Sequence, residues 1–396
     1  MDSDGFNGVV ERLLSAADGT EDETAAVLGD LDGDVVARAV LGEIAARAAL
    51  FEGATAPVTV QFDVGTPDGR LDYLVTVGDG PARCERGRLR EPWVLVRQDL
   101  TDLLRSVYGP AGAVQGGTLE VTVRDEDPPG STGEFGYEDR HQAVRAAHQL
   151  TKACSARPVD LDLLAVRFRS DKWGGHWYTP HYERHFGARR DQRVKLLEIG
   201  VGGYHAPDVG GASLLMWKHY FRRGLVYGLD VFDKSALDEP RKLTVRGDQS
   251  DPEFLNALAK RIGPLDIVID DGSHRSSDVI TSFRTLFPHL RPGGLYVIED
   301  LQTSYWPGWN GGRTHPDDAG TSVGHLKTVV DGLHHMERPG EPSATDRTVT
   351  AIHLYPGVAF VEKGINSDRP APAWIRRDVD PAVWMADPSA LSTEEK

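Results

Sequence analysis

Residues 35–51 carry apolar side chains at Val36, Val40, Leu41, Ile44, Ala45 and Leu50, with Arg38, Glu43 and Arg47 between them. Spacings near three and four residues predict an amphipathic helix. The period then falls to two. Residues 56–64 (APVTVQFDV) and 71–77 (LDYLVTV) alternate apolar and polar positions on either side of Thr66-Pro67-Asp68-Gly69, a turn sequence, and so predict a β-hairpin. A strand over 93–97, a helix over 99–108 and a strand over 119–123 follow. Residues 125–136 (DEDPPGSTGEFG) are rich in Pro, Gly and acid and read as a linker.

From residue 193 apolar runs alternate with helical stretches. Strands are expected over 194–201, 225–232, 243–247, 265–269 and 295–298, and helices over 212–221, 252–261 and 278–290. Asp251-Pro252 opens the second of these helices, with Asp as N-cap and Pro at the first helical position. Nearly continuous apolar runs suit strands covered on both faces, as in a parallel sheet. A helix over 322–335 and a hairpin over 348–362, turned at Pro356-Gly357, complete the pattern. The expectation is a doubly wound, Rossmann-like α/β domain over residues 151–396, with its ligand at the carboxyl ends of the strands. An α+β auxiliary domain over residues 1–150 precedes it. That first domain shows no cluster of ligand-type residues, which suggests a support, lid or assembly role.

Composition narrows the partners. The chain has 396 residues, 40% hydrophobic and 26% charged, enough for two soluble domains with a core in each. A formal net charge of -16 argues against nucleic acid and against a polybasic membrane surface. Cys84 and Cys154 form neither a CxxC pair nor a disulfide framework. No apolar run approaches the roughly 20 residues that span a bilayer, and the first residues lack the features of a signal peptide. A cytoplasmic protein is expected.

The first strand of the second domain runs into Glu198-Ile199-Gly200-Val201-Gly202-Gly203-Tyr204. Glycines there let the backbone pass close to a ligand. The dinucleotide pattern GxGxxG is absent, and a long loop with Pro207 separates the turn from the next helix, so no helix N-terminus stands ready for a pyrophosphate. An acidic Glu198 suits a cation. S-adenosylmethionine (SAM), with its sulfonium and ammonium groups, is such a ligand. Asp230 ends the second strand, where a carboxylate can accept ribose hydroxyls. Asp248 and Gln249 follow the third strand, within reach of an adenine edge. A capping role for either Asp is the plainer alternative.

The fourth strand runs into Asp270-Asp271-Gly272-Ser273-His274 and the fifth into Glu299-Asp300. Paired acids at adjacent parallel strand ends repel and raise one another's pKa unless a cation neutralises them. Magnesium takes oxygen ligands and keeps positions for substrate. Asp271, Glu299 and Asp300 are therefore the expected metal ligands, with Asp270 facing the cofactor side or capping the turn. An imidazole titrates near neutrality, as a general base requires, and His274 shares a turn with a proposed ligand. Elsewhere His181 and His185 stand four apart, but Glu183 is not in the HExxH position, which argues against zinc there. The aromatic segment 171–179 is either a lid over the cofactor or core, and Tyr305, Trp306 and Trp309 either face a bulky substrate or pack inside.

Together LLEIGVGGY, GDQSD, IDDGSH and YVIEDLQTSYW, with DKWGGHWYTPHYERHFG upstream, resemble the magnesium-dependent sugar O-methyltransferases of antibiotic tailoring. The resemblance implies a class I SAM-dependent methyltransferase fold. It also implies transfer of methyl to the 2-hydroxyl of a 6-deoxyhexose such as javose on a glycosylated macrolide. By the same likeness Asp271, Glu299 and Asp300 are metal ligands, His274 is the catalytic base, and the assembly is a homotetramer. A SAM- and metal-dependent O-methyltransferase of a phenolic or other hydroxylated natural product is the alternative. It differs in needing less help from His274.

Overall fold

The computed structural model describes residues 3–110, 117–124, 137–154, 159–309 and 319–367, with a few positions between 369 and 382. The expected linker over 125–136 lies outside the described residues.

The chain begins with α1 (Ser3–Ala16), α2 (Glu21–Gly29) and α3 (Gly33–Ala48). Thr20 and Glu23 form a capping box that starts α2, and Asp32 caps α3. The expected hairpin is β1 (Val58–Thr66) and β2 (Gly69–Val77), paired from Val58–Val77 to Thr66–Gly69. Next come β3 (Arg83–Arg86), β4 (Val94–Asp99), α4 (Leu100–Tyr108), β5 (Glu120–Val123) and α5 (Tyr137–Ala153). The sheet order is β3-β2-β1-β4-β5. β3 was not legible in sequence, because its four residues include three charges and only one apolar side chain. It is held as an edge by β2 alone. One core runs from Val10 to Cys154, so α5 packs with the first sheet.

The second half opens with α6 (Leu161–Phe168) and α7 (Thr179–Phe186). Strands and helices then alternate: β6 (Lys195–Ile199), α8 (Ala212–Tyr220), β7 (Leu225–Asp230), β8 (Lys242–Arg246), α9 (Pro252–Ile262), β9 (Leu265–Asp270), α10 (Ser276–Leu286) and β10 (Leu290–Ile298). α11 (Ser322–Leu333) and the hairpin β11 (Val349–Tyr355) and β12 (Val358–Lys363) follow. The order is β11-β12-β10-β9-β6-β7-β8, with β10, β9, β6, β7 and β8 parallel and the last hairpin antiparallel. This is the expected doubly wound sheet. Side chains alternate across it: Leu197 and Ile199 join the core under α9, α10 and α11, while Leu196 joins the core under α6, α7 and α8. β10 begins earlier than expected, at Leu290, with a register shift before Leu295 that absorbs Pro292-Gly293-Gly294.

A buried ionic knot joins the two halves. Glu43 on α3 accepts from Arg47 Nε (2.8 Å) and Arg241 Nε (3.0 Å), and Arg47 also donates to the carbonyls of Val107 and Arg222. Burial disfavours the Glu43 charge, but Arg241 and Arg47 outweigh it and hold the carboxyl well below its usual range. Cys84 and Cys154 are unpaired. Among the described residues no helix is long and apolar enough to cross a membrane.

Candidate active site

A cleft of about 690 Å³ opens at the carboxyl ends of β6, β7, β8 and β9, between the strands where the order reverses. Its floor is the glycine turn after β6. Gly200, Gly202 and Gly203 have φ of 93°, 76° and 74°, the region side chains disfavour. A Cβ on Gly200 would lie 2.1 Å from the Asp271 carbonyl oxygen, and one on Gly203 2.0 Å from that of Val209. The turn is thus wedged against the end of β9. Tyr204 stands exposed at the lip.

The residues expected to face the cofactor divide into two groups. Asp230 and Asp248 line the cleft. Asp230 accepts from the backbone N–H of Val201 and of Phe232, both at 2.9 Å, and so ties the glycine turn to β7. Asp248 closes a turn on the N–H and hydroxyl of Ser250, and those bonds hold its carboxyl below the usual range. Gln249 lines the cleft too, but its amide is engaged: Oε1 accepts from Ser273 N (2.7 Å) and Nε2 donates to Asp270 (3.2 Å). Asp270 and Glu198 are buried and do not line the cleft. Asp270 accepts from Ser282 and Tyr296, behind the sheet, and burial pushes its carboxyl up to about 6. Glu198 accepts from Ser213 (2.9 Å), and burial pushes it up to about 7.

Successive residues on a strand point to opposite faces, so Asp271 turns the other way from Asp270. Glu198, Asp271 and Glu299 each offer an oxygen within 4.8 Å of the others; Asp271, His274 and Asp300 form a second such group nearer the mouth. Asp271 belongs to both. His274 Nε2 lies 3.5 Å from Asp300 Oδ2, and Asp300 Oδ1 accepts from the Tyr178 hydroxyl (2.9 Å) and Gln302 (3.1 Å). Burial works against the Asp300 charge, but His274 and these donors outweigh it and lower the carboxyl. His274 and Asp300 both have left-handed backbones, with φ of 55° and 52°. Thr303 binds the two turns by donating to the His274 carbonyl.

A fully buried lysine sits among the inner acids. Lys172 Nζ is 2.7 Å from Asp271 Oδ2, 2.6 Å from Glu299 Oε1 and 3.4 Å from Glu198 Oε1. Burial disfavours its charge, but Asp271, Glu299 and Glu198 outweigh burial and hold the ammonium well above its usual pKa. The Tyr182 hydroxyl donates to Glu299. Burial and the neighbouring Asp271 raise the Glu299 carboxyl well above the usual range. One lysine against three acids leaves the site short of positive charge, and the Glu198 Oε1 atom is buried without a hydrogen-bond donor. Asp271 and Asp300 offer oxygen donors of the kind magnesium takes, while Glu299, the third expected ligand, falls in the inner group beside Lys172 and not with Asp300.

Sequence reading missed Lys172, Tyr178 and Tyr182. All three lie in the aromatic segment and the helix after it, where no periodicity marks a lysine as buried. The segment divides: Asp171 lines the cleft, Tyr178 is core and Trp177 is exposed. Tyr305, Trp306 and Trp309 are exposed beside the acids, with the Trp309 ring 5.9 Å from that of His274.

Known proteins are similar to this chain in sequence and fold. A family model described as MycE methyltransferase N-terminal matches residues 10–119. The chain is 48% identical, over 91% of its length and 96% of the relative's, to the 8-demethyl-8-alpha-L-rhamnosyl tetracenomycin-C 2'-O-methyltransferase of Streptomyces olivaceus. It is 41% identical, over 94% of its length and 95% of the relative's, to the mycinamicin VI 2''-O-methyltransferase of Micromonospora griseorubida. The structure of the MycE methyltransferase with Mg, SAH and mycinamycin VI superposes at a TM-score of 0.85, with 39% identity, over 96% of this chain and 99% of that one. Identity at this level over nearly the whole chain, with the fold shared throughout, means that the chain belongs to the MycE family of O-methyltransferases.

Proposed function

We propose that this protein transfers the methyl group of SAM to the 2-hydroxyl of a 6-deoxyhexose on a glycosylated natural product, with magnesium bound by Asp271, Glu299 and Asp300 and with His274 as base. The observation that carries the reading is the convergence of Asp271, His274 and Asp300, the first two of which line the cleft floored by the glycine turn. A sugar hydroxyl is a poor nucleophile, and this grouping answers that difficulty. When bound, magnesium supplies the charge that polarises the hydroxyl, and SAM supplies the electrophilic methyl. His274 Nε2 takes up the hydroxyl proton, and the adjacent Asp300 carboxylate stabilises the imidazolium so formed. Tyr178 and Tyr182 fix Asp300 and Glu299 by their hydroxyls, and the wedged glycine turn fixes the cofactor floor, so that positioning supplies part of the rate. Asp230 and Asp248 are the carboxylates placed for the nucleoside of the cofactor. The exposed Trp306 and Trp309 offer flat apolar faces to the aglycone.

A macrolide aglycone follows from the mycinamicin relative. A flat aromatic polyketide is the second reading, favoured by the 48% identical relative and its rhamnosylated tetracenomycin substrate. The auxiliary domain is assigned to residues 1–150 and the catalytic domain to 151–396. A homotetramer is the assembly that the family likeness implies, and light scattering tests it; a cytoplasmic location is the expectation from composition.

The deciding experiment is mass spectrometry after incubation with SAM and a panel of glycosylated macrolides and rhamnosylated aromatic polyketides, with and without a chelator. Methylated sugar is expected only without chelator. His274→Ala is expected to lower turnover by about 10²–10⁴-fold while SAH affinity holds. Product formation indifferent to chelation defeats the metal assignment, and near-normal turnover in His274→Ala defeats the base.

A further inference from the structure

The last turn of α7 meets the closing hairpin, with His185 one turn beyond Tyr182 and both rings against Phe360. β11 and β12 pair with His353 opposite Phe360, Ala351 opposite Glu362 and Tyr355 opposite Val358. Directly opposed residues and those two apart share a face, so His353, Tyr355, Phe360 and Glu362 all stand on one side of the hairpin. His185 packs onto that side. Its ring stacks on Phe360 at 4.3 Å and lies 4.4 Å from the His353 ring, centroid to centroid. One ligand atom each from His185, His353 and Glu362 falls within 4.8 Å of the other two. His353 Nε2 is 2.9 Å from Glu362 Oε1, and His185 Nε2 is 3.0 Å from the Tyr355 hydroxyl.

The geometry points to a second metal site, separate from the acids of the cleft, in which His185, His353 and Glu362 hold a transition-metal ion of the zinc class. Two imidazoles and one carboxylate are borderline donors that suit zinc, whereas magnesium prefers oxygen ligands throughout. Bonds of about 2.0–2.2 Å in a tetrahedron set ligand atoms roughly 3.3 Å apart. The His353–Glu362 contact is already close to that spacing. His353 and Glu362 are about a third exposed, so their side chains are free to close the wider gaps. Burial holds the His185 imidazole down at about 4, which keeps it in the neutral form a metal requires. Three protein ligands leave a fourth position of the tetrahedron for water or another donor. His181, four residues before His185, takes no part: its ring stacks on Tyr355 at 3.9 Å. The sequence pair is therefore split, and the partner of His185 comes from 168 positions further along. An ion here would pin α7, which also carries Tyr182, the donor to Glu299.

The test uses the full chain, stripped of metal and then saturated with magnesium. Zn²⁺ is titrated calorimetrically, and Co²⁺ is added to report coordination through its visible absorption. One ion per chain with a tetrahedral cobalt spectrum is expected. His353→Ala and Glu362→Gln should each weaken Zn²⁺ binding more than about ten-fold, while Asp300→Asn, in the cleft, leaves it unchanged. Zn²⁺ should also raise the melting temperature of the wild type and not that of His353→Ala. Wild-type affinity in both hairpin variants, or a loss confined to Asp300→Asn, overturns the site.

Discussion

Lys172→Met replaces a buried ammonium with an apolar chain of similar length and leaves Asp271, Glu299 and Glu198 without it. Removing one partner of a buried charge cluster costs about 3–5 kcal/mol. Glu299 is already raised well above the usual range and Glu198 to about 7, so the escape left to the protein is for a further acid to take up a proton. At pH 7 that costs about 3.7 kcal/mol for a carboxyl with an ordinary pKa of about 4.3. The escape caps the loss, so the expected destabilisation at pH 7 is about 3–4 kcal/mol. At pH 5 the same protonation costs only about 1 kcal/mol, and the deficit should shrink accordingly. Urea denaturation of wild type and variant at the two pH values measures both numbers. Magnesium restores a cation to the cluster and should stabilise the variant more than the wild type. A loss of equal size at pH 7 and pH 5 would refute the electrostatic reading and leave lost packing as the cause. No loss at all would show that the lysine does not neutralise the acids.

Other consequences are as direct. Glu43→Ala strands Arg47 and Arg241 at the junction of the two halves and should cost about 3–5 kcal/mol in a denaturation midpoint experiment; a loss under about 1 kcal/mol contradicts the knot's role. Gly200→Ala forces a Cβ to within 2.1 Å of the Asp271 carbonyl at a φ of 93°, so calorimetry should find SAH binding weakened and the melting temperature lowered, with unchanged binding as the refuting result. Burial pushes His185 and His325 down to about 4. Between about pH 6.5, the ordinary histidine value, and pH 4, the unfolded chain binds protons that the native chain does not, so stability falls as pH falls. His325→Gln should flatten that slope, and an unchanged slope rules the residue out.

Much of this protein is set by local pattern. Alternation marked β1 and β2, apolar runs marked β6, β7 and β9, and Asp251-Pro252 marked the start of α9, because each signal lies within one element and needs no partner. The glycine turn and the acid pairs were visible for the same reason: each is a short run at a strand end. The division of labour within those runs was not. Asp270 and Asp271 are neighbours in sequence, yet the strand sends one behind the sheet to Ser282 and the other to Lys172 and the cleft. Lys172 meets Glu299 across 127 positions, and Glu43 meets Arg241 across 198. Such pairings are decided by which elements the fold stacks together. A charge is worth burying only where an opposite charge arrives by another route, and tertiary structure alone arranges that arrival.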